Sequence, residues 1–192
     1  MKLLFTGASG FLGSNVRPLL EGMYGVKTVG LSPKDDYTID IAKEIPVLRE
    51  RYDIVLHVAG KAHSVPKTEA ERQVFFDVNL QGTKNLCTAL ERRRVPRAFI
   101  FISTVAVYGC AYGENITEDH PLDGDTPYAM SKRLAEEYLQ KWCYEHNVIL
   151  GIIRPSLIAG PNPPGNLGAM IHGIRSGKYL SIAGGQARKS VL

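Results

Sequence analysis

A tyrosine and a lysine four residues apart, Tyr128 and Lys132, are the strongest candidates for chemistry in this sequence. On a helix, residues i and i+4 share one face, and an ammonium group beside a phenol favours the phenolate. Lowering the pKa of a tyrosine from ~10 to ~7 takes roughly 4 kcal/mol and yields a base that works near neutral pH. Thr104, which follows an apolar run, adds a hydroxyl that can pass a proton to Tyr128. The spacing predicts proton transfer at a hydroxyl group; the alternative is an exposed pair with no chemical role.

A glycine pattern near the N-terminus predicts a phosphate-binding turn. Gly7, Gly10 and Gly13 form G-x-x-G-x-x-G between an apolar run and a segment with helical spacing. Gly7 permits a tight turn, Gly10 lets the backbone approach a pyrophosphate, and Gly13 lets the helix pack closely on the strand. The helix that follows would add free N–H groups and the positive end of its dipole. We therefore expect a dinucleotide here; a glycine-rich turn without a ligand is the alternative.

The end of the second predicted strand bears on which dinucleotide binds. Dinucleotide-binding folds place an acidic residue there, against the ribose 2′-hydroxyl. This chain has Leu31, Ser32 and Lys34 near that position, and the carboxylates of Asp35 and Asp36 come later. Ser32 and Lys34 suit a 2′-phosphate, so this feature leaves NAD and NADP both open.

The elements that must hold these residues alternate between strands and helices. Five apolar runs have little polar alternation, as in strands buried on both faces. The predicted strands are Lys2–Thr6, Val26–Leu31, Asp53–Val58, Arg97–Ser103 and Val148–Arg154, and the predicted helices are Phe11–Met23, Thr68–Arg94 and Pro127–Asn147. We expect Pro18 to bend or shorten the first helix. The alternation predicts a doubly wound α/β fold around a parallel sheet.

The composition changes after Arg154, which predicts a second, smaller unit. Residues 1–155 would form a dinucleotide-binding domain, and residues 156–192 the beginning of a substrate-binding lobe. The predicted elements after the change are a proline-rich loop, a helix and a short strand, at Pro155–Gly168, Gly168–Gly177 and Tyr179–Ala183. Because the chain stops soon after that strand, we expect this lobe to be incomplete.

The overall composition is that of an ordinary globular protein. Hydrophobic residues make up 44% and charged residues 22% of the 192 residues, which excludes a disordered chain. No apolar run reaches the ~18–20 residues of a membrane span. The basic run Arg92–Arg94 is short enough for a solvated helix end, so we expect neither a membrane nor a nucleic acid as partner. The three cysteines are widely spaced without a Cys-x-x-Cys, which indicates reduced thiols in a cytoplasmic protein and no metal site.

Three further reactive side chains lie near these motifs. His57 ends the third predicted strand, where we expect a packed, hydrogen-bonded imidazole. His63 lies on the following loop, where an exposed side chain and a substrate contact are both open. Cys110 has no neighbour in sequence that would lower the pKa of its thiol, so we assign it no catalytic role.

Taken together, these motifs resemble those of the extended short-chain dehydrogenase/reductase family, in its NAD-dependent epimerase/dehydratase branch. The resemblance covers essentially the whole chain in the right order. It rests on TGASGFLGSN (6–15), Asp40-Ile41, HVAG (57–60), Asn79 with Gly82-Thr83, STVAVYG (103–109), YAMSK (128–132) and Arg154-Pro155. It implies a Rossmann-type cofactor domain followed by a small C-terminal substrate lobe.

The resemblance also implies a role for each matching position. Thr104 would be the family's hydroxyl residue, Tyr128 the catalytic base, and Lys132 the lysine that binds the cofactor ribose. The other implied cofactor contacts are Gly7, Gly10, Phe11, Leu12 and Gly13 at the pyrophosphate, Asp40 and Ile41 at the adenine, and Ala59, Gly60, Asn79 and Pro155 elsewhere along the cofactor. The implied substrate contacts are Thr104, Asn166, Leu167 and Arg188.

The function that the resemblance implies is 4-epimerisation of a nucleotide sugar, with NAD or NADP as cofactor. Dehydratases of the family carry an Asp-Glu pair after the hydroxyl residue, where this chain has Val105 and Ala106, so an epimerase is favoured. A one-way NADP-dependent ketoreductase or dehydrogenase is the first alternative, and a non-catalytic cofactor-binding protein is the second. Relatives pair as homodimers through a four-helix interface, which here would use Thr68–Arg94 and Pro127–Asn147.

Overall fold

Six parallel strands form one sheet in a computed structural model that describes residues 1–62, 64–178 and 190–192. The strands are β1 (Lys2–Thr6), β2 (Gly25–Gly30), β3 (Tyr37–Thr38), β4 (Ile54–His57), β5 (Ala98–Ile102) and β6 (Ile149–Ile153). Their spatial order is β3-β2-β1-β4-β5-β6, and every neighbouring pair is parallel. The order reverses between β1 and β4, and ligands of open α/β sheets bind at such a reversal, beyond the carboxyl ends of the strands. The predicted doubly wound fold is confirmed.

Helices cover both faces of the sheet, as parallel strands buried on two sides require. They are α1 (Phe11–Glu21), α2 (Glu69–Phe76), α3 (Gly82–Arg93), α4 (Pro127–Glu145) and α5 (Gly165–Arg175), with a short 3₁₀ turn at Val105–Tyr108. The core between sheet and helices is apolar: Phe99 of β5 is fully buried and meets Trp142 of α4 edge-on, with ring centroids 6.1 Å apart. Leu86 and Leu90 of α3 are also fully buried.

The long helix predicted at Thr68–Arg94 is interrupted by a π-helical turn. Residues Asp77–Gln81 form this turn between α2 and α3. Asn79 lies inside it, buried, and hydrogen bonds to the loop after β4. A π turn has one residue more than an α turn, and such bulges are frequent at functional sites. The apolar spacing of the sequence does not reveal it, because the flanking residues keep the helical pattern.

Two further predicted helices differ from the structure in their bounds, and one strand of the structure was not predicted. The helix α1 continues through Pro18 and ends at Glu21, because Gly22 follows as its C-terminal cap. The last described helix begins at Gly165 rather than Gly168, directly after Pro164. Strand β3 was not predicted, since it has only two residues, which pair with the end of β2. The strand predicted at Tyr179–Ala183 lies outside the described residues.

The segment after β6 leaves the sheet and is paired with the end of the chain. The backbone N–H of Leu192 donates to the carbonyl of Leu157 at 2.9 Å, and Ala159 donates to Leu192 at 2.9 Å. None of the helices in the described part of the chain has the length and apolar character that a membrane span requires.

Candidate active site

A cleft of about 670 Å³ opens at the carboxyl ends of the central strands, at the reversal of the strand order. This volume is typical of a small-molecule or cofactor site. Fourteen of the residues predicted for cofactor or substrate line it: Gly7, Gly10, Phe11, Leu12, Gly13, Asp40, Ile41, Ala59, Gly60, Thr104, Tyr128, Lys132, Pro155 and Leu167. The cleft therefore brings the glycine turn and the tyrosine–lysine pair, which are more than 110 residues apart in sequence, to one site.

The glycine turn is shaped so that a phosphate group can approach its backbone. Gly7 has φ +73°, and a Cβ there would lie 2.5 Å from the backbone nitrogen of Ala59. A Cβ on Gly13 would lie 2.1 Å from the carbonyl oxygen of Gly7, so this residue allows α1 to pack on the turn. A Cβ on Gly10 would lie 3.3 Å from its nearest neighbour, the Gly7 carbonyl oxygen, so this position leaves space on the side of the cleft. Gly10 is also the N-cap of α1 and makes no side-chain cap, so the first N–H groups of the helix are available to an anion.

The two carboxylates of the turn after β2 accept hydrogen bonds from the turn and from β2. Asp35 Oδ2 accepts a hydrogen bond from the backbone of Ser32 at 3.0 Å and lies against Gly30. Asp36 accepts from Lys27 Nζ at 2.7 Å and from the backbone of Thr28 at 2.9 Å. Neither aspartate lines the cleft.

The acidic residue on the cleft wall is instead Asp40. Its Oδ1 accepts a hydrogen bond from the backbone of Ala42 at 3.1 Å, and its Oδ2 lies 3.4 Å from Lys43 Nζ. Ile41, beside it, is buried. Asp40 and Ile41, the two predicted adenine contacts, thus both line the cleft.

The catalytic candidates meet where β5 ends and α4 begins. Thr104 caps the 3₁₀ turn, its hydroxyl accepting from the backbone of Ala106 at 3.2 Å, and it is buried. Tyr128 lies in the first turn of α4, which Thr126 caps by accepting from Ala129 at 3.2 Å. Pro127 at the first helical position reinforces this start. The two caps thus place a threonine hydroxyl and a tyrosine phenol on one wall of the cleft.

Burial has the largest effect on the pKa of Tyr128. Burial raises the pKa of the phenol, and the Thr104 hydroxyl opposes this only in part. Lys132 does not offset the burial: its Nζ donates to the carbonyl of Ile102 at 2.7 Å and lies 4.5 Å from the centre of the Phe101 ring. The expected lowering of this pKa relies on Lys132 together with the positive charge of a bound nicotinamide, so it stays a prediction; what the structure adds is the burial of the phenol. The sequence could not reveal this, because desolvation depends on tertiary packing.

Lys132 is itself strongly affected by its surroundings. It is 3% exposed, and burial lowers the pKa of its ammonium to about 8, while the carboxylate of Glu136 acts in the opposite direction. A lysine that titrates near 8 lies close to the pH at which most enzymes work, so small changes around it alter its charge.

His57 is a packed histidine, as predicted. Its Nδ1 lies 2.6 Å from the Thr6 hydroxyl and its Nε2 2.9 Å from the Thr83 hydroxyl, and the residue is fully buried. Burial, and to a smaller extent the charge of Lys132, lowers the pKa of the imidazole to about 3. His57 is therefore neutral and joins β1, β4 and α3.

Asn79 supports the cleft wall from behind. It does not line the cleft; its Oδ1 accepts from the backbone of Lys61 at 2.8 Å, and its Nδ2 donates to the Lys61 carbonyl at 3.1 Å and to Ser131 Oγ at 2.9 Å. The side chain thus fixes the loop that carries Ala59 and Gly60, which is a positioning role near the predicted cofactor contact.

The predicted substrate residues have separate outcomes. Leu167 of α5 lines the cleft, whereas its neighbour Asn166 is exposed and does not. Arg188 and His63 lie outside the described residues. Across the described ranges, no group of three or more His, Cys, Asp or Glu side chains is placed to hold a metal ion.

A buried ion pair behind the cleft was not predicted. Glu136 on α4 forms an ion pair with Arg154, which follows β6; Arg154 Nη2 and Glu136 Oε2 are 2.7 Å apart. Arg154 Nη1 also donates a hydrogen bond to the Tyr108 hydroxyl at 3.0 Å. The one signal in the sequence is that Glu136 stands four residues after Lys132.

The lining of the cleft fits a nicotinamide dinucleotide. The open space at Gly10 and the uncapped start of α1 suit a pyrophosphate. The Ser103 hydroxyl is buried on the cleft wall and has no hydrogen-bond partner among the residues that the structure describes, which leaves it for a ligand.

Comparisons with known proteins find relatives of this chain by sequence. A family model, "NAD dependent epimerase/dehydratase family", matches residues 3–190. The chain is 31% identical to N-acetyl-alpha-D-glucosaminyl-diphospho-ditrans,octacis-undecaprenol 4-epimerase of Escherichia coli O157:H7, over 98% of this chain and 58% of that protein. It is 30% identical to UDP-glucose 4-epimerase of Vibrio cholerae, over 91% of this chain and 57% of that protein. The chain thus spans less than two thirds of the length of these relatives.

Solved structures have the same fold. UDP-glucose 4-epimerase of Thermus thermophilus, in complex with NAD, matches with a TM-score of 0.75 and 28% identity, over 90% of this chain and 61% of that one. UDP-glucose 4-epimerase of Thermotoga maritima, with UDP-glucose, matches with a TM-score of 0.80 over 100% of this chain and 69% of that one. At 23% identity, the second match concerns the fold alone.

Proposed function

Because the chain belongs to the NAD dependent epimerase/dehydratase family, we propose that it carries the cofactor-binding and proton-transfer half of a nucleotide-sugar 4-epimerase. The observation that carries this proposal is that Thr104, Tyr128 and Lys132 line the same cleft as the glycine turn. Val105 and Ala106 follow Thr104, and neither side chain can act as an acid or base for eliminating water. This favours epimerisation over dehydration.

The cofactor of the proposed reaction is NAD, with NADP as the alternative. The glycine turn and the first N–H groups of α1 would hold its pyrophosphate, and Asp40 and Ile41 its adenine end. When bound, the nicotinamide supplies the hydride acceptor and donor. The protein contributes position, charge and a route for the proton.

In this proposal the proton of the sugar 4-hydroxyl moves to Tyr128 Oη and returns to the oxygen of the keto sugar. Thr104 would hydrogen bond to the same oxygen and align it with Tyr128. Since burial raises the pKa of Tyr128, the phenolate needs positive charge nearby. The Lys132 ammonium, one turn along α4, would supply part of it, beside the positive charge of a bound nicotinamide.

Tyr128→Phe tests the role of the base. We expect turnover to fall by ~10²–10⁴, the usual contribution of a positioned acid–base group, while dinucleotide affinity is retained. The assay is interconversion of UDP-glucose and UDP-galactose, and of their N-acetyl forms, followed by chromatography on the full-length protein. Thr104→Val is the companion variant, with a smaller expected loss because Tyr128 stays in place. Near-normal turnover of Tyr128→Phe would exclude this role.

A second substrate is favoured by one relative. The Escherichia coli protein that matches 98% of this chain is named for a sugar carried on undecaprenyl diphosphate rather than on a nucleotide. The two substrate types share a sugar diphosphate and differ in what is attached to it. Assaying N-acetylglucosamine on undecaprenyl diphosphate beside UDP-N-acetylglucosamine, with the same protein, distinguishes them by which one is interconverted.

A one-way NADP-dependent reductase is the alternative that the β2 turn favours. Asp35 accepts a hydrogen bond within the turn and Asp36 accepts from residues of β2, whereas Ser32 and Lys34 lie near the tip of the turn. Ser32→Asp and Lys34→Ala test this alternative. If it is correct, both variants bind NADP more weakly than the wild type, and the wild type prefers NADP to NAD.

We also propose a homodimer that pairs α2, α3 and α4 with the same helices of a second copy. Helices α2 and α4 already lie side by side, with the Phe75 and Tyr128 rings 6.3 Å apart. Light scattering on the full-length protein should give the mass of two chains. A monomer at micromolar concentration would contradict the proposal.

A further inference from the structure

The carboxylate of Glu136 is held in one position by an unusually complete set of contacts. Its side chain is 1% exposed, and Arg154 donates Nε to Oε1 at 3.1 Å and Nη2 to Oε2 at 2.7 Å. This bidentate geometry fixes both carboxylate oxygens. The Arg154 guanidinium is fixed in turn, because Nη1 donates to the Tyr108 hydroxyl and to the Glu118 carbonyl, each at 3.0 Å.

Lys132 lies one helical turn before Glu136, on the same buried face of α4. Residues four apart on a helix have Cβ atoms about 5–6 Å apart. The Lys132 ammonium has neutral groups on its other sides: the Ile102 carbonyl and the Phe101 ring of β5, and the imidazole of His57 on β4, which burial keeps uncharged. Among the residues that the structure describes, Tyr128 on α4 and Asn79 on the π-helical turn also lie on this side of the cleft, and both are uncharged.

Glu136 is therefore the anion that opposes the desolvation of Lys132. Burial lowers the pKa of Lys132 to about 8, and the carboxylate of Glu136 raises it. A nearby opposite charge favours the charged form of a lysine. Without this carboxylate, the pKa of Lys132 would be lower, and a larger fraction of the side chain would be a neutral amine at pH 8.

We propose that Glu136 is a positioning residue for the reaction: clamped by Arg154, it keeps the Lys132 ammonium charged in the cleft. The inference rests on the proposed function, in which that charge stabilises the Tyr128 phenolate. Arg154 has a supporting role, since its hydrogen bonds hold both oxygens of the Glu136 carboxylate in place.

The test measures the charge of Lys132 directly and without catalysis. Lysine labelled with ¹³C at Cε is incorporated into the protein, the Lys132 signal is assigned by its loss in Lys132→Met, and its chemical shift is followed with pH. We expect the midpoint to fall from about 8 to about 7 or below in Glu136→Gln. Arg154→Lys is the matched control: it breaks the same bidentate pair but keeps both charges, and its midpoint should stay near that of the wild type.

The pH profile of turnover provides the second readout. In Glu136→Gln the decline at alkaline pH should begin about one unit lower, which makes turnover at pH 8 roughly fivefold lower than in the wild type. Glu136→Asp, which retains the charge, should restore most of the profile. If Glu136 had a purely structural role, the two variants Glu136→Gln and Arg154→Lys would lose turnover to a similar extent, and the pH profile of neither would be displaced.

An unchanged Lys132 midpoint in Glu136→Gln would overturn the inference, and so would equal shifts in Glu136→Gln and Arg154→Lys. If Glu136→Gln does not fold, Glu136→Met with Arg154→Met removes both charges together, a replacement that buried ion pairs often tolerate. In that double variant too, the midpoint must fall below the wild-type value. The titration needs no turnover, so its result can be interpreted even if Tyr128→Phe shows that the proposed reaction is wrong.

Discussion

Gly13 is the position where the structure sets the strictest limit on the side chain. A Cβ at Gly13 would lie 2.1 Å from the Gly7 carbonyl oxygen, 2.7 Å from Ala8 Cα and 2.9 Å from the Ala8 carbonyl carbon. All three contacts are with backbone atoms of the turn, so α1 would have to move about 1.3 Å away from the turn to restore ordinary contact distances. Overpacking of this kind costs about 1–3 kcal/mol, and backbone clashes belong at the upper end. We therefore expect Gly13→Ala to lower the free energy of unfolding by about 3 kcal/mol.

Gly10→Ala is the matched control, three residues away in the same turn. Its Cβ would have one close neighbour, the Gly7 carbonyl oxygen at 3.3 Å, and would otherwise project into the cleft. Folding should therefore be almost unaffected, with a loss below about 1 kcal/mol. Dinucleotide binding should weaken at least about tenfold, since the added methyl occupies the space a pyrophosphate needs.

Thermal unfolding followed by circular dichroism separates the two variants. For a chain of this length, 1 kcal/mol corresponds to about 2–4 °C, so Gly13→Ala should unfold roughly 6–12 °C below the wild type. Calorimetric titration with NAD then gives the affinity of Gly10→Ala. A Gly13→Ala variant with wild-type stability, or a Gly10→Ala variant that binds NAD as the wild type does, would refute this reasoning.

Further predictions concern buried titratable groups and thiols. His57 has a pKa of about 3 in the folded protein, against 6.5 in the unfolded chain. Between these pH values the unfolded state binds a proton that the folded state does not, so the free energy of unfolding falls by on the order of 5 kcal/mol as the pH falls from 6.5 to 3. His57→Gln should remove this part of the acid sensitivity in denaturant titrations. Lys132 has a pKa of about 8 when folded against 10.5 unfolded, so its contribution rises with pH between these values. The unfolding free energy of the wild type relative to Lys132→Met should thus increase by on the order of 3 kcal/mol from pH 8 to 10.5, and a constant difference would contradict this. Finally, Cys110 is exposed, whereas Cys87 and Cys143 are buried and burial raises the pKa of both thiols. A thiol reagent should label one cysteine in the native protein and three after denaturation; rapid native labelling of all three would show that the packing of α3 against α4 is wrong.

The sheet could be predicted because its strands are buried on both faces. Runs such as KLLFT and AFIFI have no polar alternation, and each lies between segments with helical spacing. Strand β3 has too few residues to produce a pattern, and its pairing with β2 depends on the turn that Asp35 and Asp36 stabilise. Short elements of this kind are set by tertiary contacts rather than by local periodicity.

The site could be predicted where its residues form linear motifs. Gly7, Gly10 and Gly13 belong to one turn, and Tyr128 and Lys132 to one helix, so their spacing already contains their geometry. The pair of Glu136 and Arg154 could not be found this way, since it joins a helix to the end of a strand. The burial of Tyr128 could not be predicted for a related reason: the sequence shows the neighbouring Lys132 but not the packing that desolvates the phenol and raises its pKa.

The cleft at the carboxyl ends of the strands must hold a nicotinamide dinucleotide if the proposed function is correct. The most direct measurement is to incubate the purified protein with excess NAD, remove free nucleotide by gel filtration, and denature the protein. The released nucleotide is then identified and quantified by mass spectrometry, with a parallel sample in NADP. We expect about one dinucleotide per chain for the wild type and much less for Gly10→Ala. Wild-type protein that retains neither NAD nor NADP would contradict the assignment of this cleft.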